Sequence, residues 1–141
     1  MEPGFFQITL KVFLHRGNEF LVLRDRAAQV GDLPGGRISH AEFFQPWGDC
    51  VRRELAEELG SDFRYDLNEE PAFIFPHYII SAKTDGLGIA FLAEYLGGEI
   101  RLSDEHDDMN WVSAADYNPD DYFAEHMAAA VRRYQREFVA P

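Results

Sequence analysis

The stretch Arg53-Glu54-Leu55-Ala56-Glu57-Glu58-Leu59-Gly60 decides the fold, together with the Leu33-Pro34-Gly35-Gly36 and Glu42 that precede it. On a helix, positions i, i+3 and i+4 share one face, so Glu54, Glu57 and Glu58 crowd one patch. Neighbouring side chains at that spacing lie roughly 5–6 Å apart. Two bare negative charges at that distance repel by about 3 kcal/mol at an effective dielectric near 20. Exposure to water, protonation or a bound cation relieves that cost. Clustered carboxylate oxygens suit Mg²⁺ or Mn²⁺ better than thiol- or imidazole-seeking metals. The segment therefore reads as a helix that cradles a divalent metal.

This pattern resembles the Nudix hydrolases. Their motif runs Gly, five residues, Glu, seven residues, Arg-Glu, an aliphatic residue, any residue, Glu-Glu, any residue, Gly and a last aliphatic residue. Here Gly36 is followed by five residues and Glu42, and Arg53 to Gly60 matches the second half. Leu33-Pro34-Gly35-Gly36 is similar to the family's approach to this box. Three positions depart from it. Ten residues, Phe43 to Arg52, separate Glu42 from Arg53; Ser61 stands where an aliphatic residue is expected; and Gly31 stands where the family often has Trp. The box covers about a fifth of the chain.

A glutamate-rich helix also suits a plain solvated face, with Arg53 and Glu57 as an i,i+4 ion pair. Two features favour a site. On a helical wheel, Glu58 and then Glu54 border the apolar stripe of Val51, Leu55 and Leu59 instead of lying opposite it. The upstream glycines also allow a turn whose backbone N–H groups face phosphate oxygens.

With 141 residues, 46% hydrophobic and 14% aromatic, the chain is expected to form one globular domain over 1–141 with a proper core. A net charge of −12 argues against binding a nucleic-acid polymer or an anionic membrane. It leaves room for a small nucleotide, because a metal and local Arg or Lys residues invert the sign at a site. The single cysteine, Cys50, excludes an internal disulfide and reads as a packing residue. No apolar run has membrane-spanning length, and no signal core follows the N-terminus. A cytoplasmic monomer or homodimer is expected.

Phe5 to Leu14 and Phe20 to Leu23 read as strands. Arg26 to Arg37 reads as a loop, and a helix is expected from Pro46 to Gly60. Ala72 to Ser81 and Leu87 to Leu96 read as strands joined by a turn at Lys83-Thr84-Asp85-Gly86, with Pro76 suited to an edge. Glu99 to Leu102 and Asn110 to Val112 are shorter strand candidates. A last helix is expected from Asn118-Pro119, its apolar stripe being Phe123, Met127, Val131, Tyr134 and Phe138. The expected class is α/β with helices on both faces of a mixed sheet. The Nudix resemblance likewise implies an α/β/α sandwich.

The resemblance implies hydrolysis of a phosphoanhydride in a nucleoside diphosphate linked to another moiety, with Mg²⁺ or Mn²⁺ as cofactor. It points to Glu54, Glu57 and Glu58 as the metal set, with the Gly36 carbonyl as a further ligand. Arg53 would orient the glutamates, and Glu42 would be either another ligand or Arg53's partner. Glu105, in Asp104-Glu105-His106-Asp107-Asp108, is the candidate general base, with His106 as the alternative. Phe43, Phe44 and Trp47 in the longer loop would rim the pocket or pin the loop to the core. Two further classes stay open: a nucleotide-sensing module of the same fold that does not cleave, and an acidic interaction domain that binds no metal.

Overall fold

β-Branched and aromatic runs build the central sheet of the computed structural model, which describes residues 1–140. The strands are β1 (Gln7–Arg16), β2 (Glu19–Asp25), β3 (Gly31–Asp32), β4 (Gly35–Arg37), β5 (Phe63–Leu67), β6 (Phe73–Ile79), β7 (Thr84–Gly98) and β8 (His106–Ser113). Helix α1 spans Trp47–Leu59 and α2 spans Glu125–Phe138. The main path of the sheet is β3-β2-β1-β7-β5, with β4 paired to β1, β6 to β7 and β8 to β2. The β1–β7 pair is parallel and every other pair is antiparallel, so the sheet is mixed, as expected.

Alternation along β1 sends successive side chains to opposite faces. Leu10, Val12 and Leu14 join Val51, Leu55 and Leu59 of α1 in one core cluster. Phe13 joins Val131 and Tyr134 of α2 in the other, with its ring stacked on Tyr134 at 4.2 Å. One helix covers each face, which gives the α/β/α sandwich.

The stretch Arg26 to Arg37, expected as a loop, carries the short strands β3 and β4, which pair with β2 and β1. Three further differences from the sequence expectation each have a physical reason. The β6–β7 turn uses Ile80–Ala82 with Lys83 in the left-handed conformation, and Asp85-Gly86 already lie inside β7. Gly86 serves packing there: a Cβ would come within 2.5 Å of Ile79. Glu99 to Leu102 is not a strand. Its Arg101 N–H and the following Ser103 N–H donate to the Leu59 and Glu58 carbonyls, satisfying acceptors that the end of α1 leaves free. Near the C-terminus, Pro119–Asp121 forms a 3₁₀ turn with the Asn118 side chain accepting from Asp120 N–H, and α2 begins only at Glu125. Strand β5 lies in a segment without a strong sequence signal. Pro76 sits on β6, which pairs only with β7 among the described residues, as an edge proline should.

Removing the Phe13 ring should cost roughly 3–5 kcal/mol, because the cavity opens between three other aromatic rings. Phe44→Ser, at a site 91% exposed, should shift stability by no more than about 0.5 kcal/mol. Urea titrations of Phe13→Ala and Phe44→Ser check both; similar midpoints for the two variants would contradict this layering.

Candidate active site

Helix α1 places its carboxylates as the wheel implies. Glu54 and Glu58 are buried at the border of the stripe formed by Val51, Leu55 and Leu59, and Glu57 faces outward. The glycine loop lies directly against them. Gly35 has φ +142°, and a Cβ there would stand 1.8 Å from the Leu10 carbonyl oxygen, so no side chain fits. A Cβ at Gly36 would fall 2.3 Å from the Glu54 carboxyl. Gly35 N–H donates to Glu58 Oε2 at 3.1 Å, tying loop to helix.

Arg53 braces the outer side. It grips Glu42 through two bonds, Nε to Oε2 at 2.8 Å and Nη2 to Oε1 at 2.9 Å. The same guanidinium pairs with Glu54 at 2.9 Å and Glu57 at 3.1 Å. The Arg53 bonds, with Ser39 adding its own, hold the Glu42 carboxyl at about 2. Glu42 is therefore engaged with Arg53 through both oxygens.

A second set of charges lies beneath the loop. Lys11 Nζ donates to Asp32 Oδ1 at 2.9 Å, and His106 Nε2 lies 3.0 Å from Asp32 Oδ2. Burial pushes the Asp32 carboxyl up, but Lys11 and the His106 bond overrule it and hold it at about 2. Burial pushes the Glu58 carboxyl up to about 8, against the opposing pull of Lys11. Burial likewise raises Glu54 despite its bond to Arg53. His106 is 2% exposed, and its Nδ1 has no hydrogen-bond partner among the described residues.

Glu58, Glu105 and a ring nitrogen of His106 lie within 4.8 Å of one another. Two carboxylates and an imidazole on one small volume, one carboxyl buried at an energetic cost, fit a divalent cation. Glu54, Glu57, Glu58, Glu105 and Gly36 all line one cleft of about 780 Å³. The residues singled out on α1 and after β7 thus converge.

Four lining residues carry no local sequence signal: Thr9, Lys11, Asp32 and His77. They come from three strands, β1, β3 and β6, and only polar residues at core-facing positions of β1 and β6 hint at them. Phe43, Phe44 and Trp47 do not rim this cleft. Phe43 packs on Phe44 and Trp47, its carbonyl accepts from Trp47 Nε1, and Trp47 alone reaches the core. At Gly31 the missing indole has a counterpart: Tyr122 and Phe123 fill the space, leaving a Cβ only 2.6 Å from the Tyr122 ring.

Because the folded protein holds a proton on Glu58 up to about pH 8, while an unfolded Glu releases it near 4.3, the folded state binds more protons in between. Stability in chelator should therefore fall as pH rises from about 4.5 through about 8. The full cost, reached above that window, is up to about 5 kcal/mol. Glu58→Gln should flatten this slope and melt higher than wild type at pH 8. Parallel slopes for wild type and variant would contradict a buried, strained carboxyl.

Comparisons with known proteins place the chain in a family. The NUDIX domain family model matches residues 6–134. The NAD-capped RNA hydrolase NudC of Chromobacterium violaceum is 32% identical over an alignment of 109 residues that covers 72% of this chain and 36% of that protein. The chain thus spans about a third of that relative's length. The crystal structure of a MutT protein from Methanosarcina mazei Go1 superposes with TM-score 0.71 at 23% identity, over 94% of each chain. An Ap4A hydrolase of C. elegans gives 0.72 at 16% identity, over 92% of this chain and 96% of that one. These structural likenesses speak for the fold, and the family match covers most of the sequence. The chain belongs to the Nudix hydrolase family.

Proposed function

We propose that this chain, read as a single Nudix domain, is a divalent-metal-dependent pyrophosphohydrolase. Its substrate is a nucleoside diphosphate linked to another moiety, as in a nucleotide sugar, a dinucleotide or a nucleoside triphosphate. The observation that carries this reading is the buried Glu58 carboxyl, pinned by Gly35 N–H and facing Glu105 and His106 across one cleft. A structural helix face has no use for a carboxyl held at that cost.

Glu54, Glu57 and Glu58 would hold Mg²⁺ or Mn²⁺, with the Gly36 carbonyl beside them. When bound, the metal neutralises the diphosphate and acidifies a water. Glu42 works through Arg53, which keeps Glu54 and Glu57 aimed in fixed directions. Glu105 is exposed at the cleft and is proposed to take the proton of the attacking water. Lys11, locked on Asp32 in the cleft, holds a positive charge among the carboxylates. A small-molecule substrate suits the net charge of −12, which repels a polyanion. A reducing, cytoplasmic setting suits the free Cys50. No helix among the described residues is long and apolar enough to cross a membrane.

A panel of NAD, ADP-ribose, diadenosine tetraphosphate, a nucleotide sugar, dGTP and an NAD-capped oligoribonucleotide tests the reading, with nucleoside monophosphate, phosphate and pyrophosphate measured as products. At least one small nucleotide should be cut with Mg²⁺ or Mn²⁺ and spared in chelator. Glu57→Gln should slow turnover on the order of a hundredfold or more with little change in melting temperature. Undiminished hydrolysis in chelator, or wild-type turnover in that variant, would reject the mechanism.

A further inference from the structure

The α2-facing side of the sheet changes character at one end. On β1 its positions are Thr9, Lys11 and Phe13, and on β6 they are Phe73, Phe75, His77 and Ile79. Helix α2 packs over Phe13, Phe73 and Phe75. Beyond its first turn two inward positions are polar although they stay buried: Thr9 is 3% exposed and His77 7%. Burying a hydroxyl and an imidazole in a sheet face costs free energy unless they are partnered. They partner each other, Thr9 Oγ1 lying 2.6 Å from His77 Nε2.

That contact spans a whole strand. β1 and β6 both pair with β7, which runs between them. The bridge is possible because β7 presents Gly86 and Gly88 to this side. A Cβ at Gly88 would lie 2.4 Å from the Phe75 ring, and one at Gly86 would lie 2.5 Å from Ile79. Phe75 and Ile79 therefore lie flat on β7, and His77 between them reaches Thr9. Both polar residues line the cleft, and Ile79, Ala124 and Met127 supply apolar wall beside them. A hydroxyl–imidazole pair offers both donor and acceptor character, since either group can donate to the other.

We propose that the Thr9–His77 pair is the recognition floor for the heterocyclic base of the nucleotide. The inference rests on the nucleotide-hydrolase reading above. One ambivalent polar pair between apolar walls matches a planar ring with a hydrogen-bonding edge. A sugar in the same place would bring several hydroxyls that these walls leave unpaired. Burial and then the nearby Lys11 push the His77 imidazolium down to about 4, so the pair meets the base uncharged.

The test uses Thr9→Val and His77→Leu, with His77→Asn as the milder variant should the second fail to fold. Binding of ADP and of inorganic pyrophosphate, each with Mg²⁺, is measured by calorimetry for wild type and variants. KM and kcat are measured for each active nucleotide beside inorganic tripolyphosphate. ADP binding should weaken about tenfold, the scale of one or two lost hydrogen bonds. KM for nucleotides should rise in step with kcat nearly kept, and binding of pyrophosphate should not change. ADP binding as in wild type, equal weakening toward ADP and pyrophosphate, or no ADP binding by wild type would each overturn the assignment. The binding arm separates the two readings: if wild type cuts nothing yet loses ADP in the variants, the base site stands and the hydrolase reading falls.

Discussion

The glycine loop presses so closely on α1 that most of the site follows from that contact. Gly35 leaves no room for a side chain beside Leu10, and Gly36 none beside the Glu54 carboxyl. The loop can sit there only by pairing as β4 with the first half of β1, which also brings Lys11 opposite Gly35. Glu58 then finds a backbone donor, and Glu54 and Glu58 are turned into the cleft instead of into open water, with Glu57 at its exposed rim.

The charges that result are sorted by side. Outside, Arg53 is shared among Glu42, Glu54 and Glu57. Inside, Lys11 and His106 share Asp32, leaving Glu58 without a close ion pair among the described residues and with its carboxyl pushed up to about 8. The two sets differ in purpose. A cation shared by three carboxylates near solvent fixes directions at small energetic cost. A lone buried carboxyl is a standing cost that a bound divalent cation would reverse.

Most of the helix and the glycine loop was legible in the sequence, because both are local. Spacing alone placed Glu54 and Glu58 at the edge of the apolar stripe, and Pro46 and Gly60 bracket α1. What escaped depends on distant partners. Thr9, Asp32 and His77 look ordinary in sequence and meet only when β1, β3 and β6 are assembled around the cleft. Asp85-Gly86 carries a turn signal that tertiary packing overrides, since Gly86 is needed where Ile79 crosses β7. Glu99 to Leu102 has strand-like residues but is occupied with capping α1. The aromatics of the long loop suggested a pocket rim because they adjoin the box in sequence; Phe44 is in fact 91% exposed and outside the cleft.

The most direct measurement is a Mn²⁺ titration followed by electron paramagnetic resonance, with wild type, Glu58→Gln and Glu2→Gln compared without any nucleotide. Glu2 is an exposed acid remote from the box in sequence and serves as the control. The account predicts saturable Mn²⁺ binding by wild type and Glu2→Gln, and binding weakened at least tenfold in Glu58→Gln, about 1.4 kcal/mol. Identical titrations for all three proteins would contradict a metal site built on the buried carboxyl.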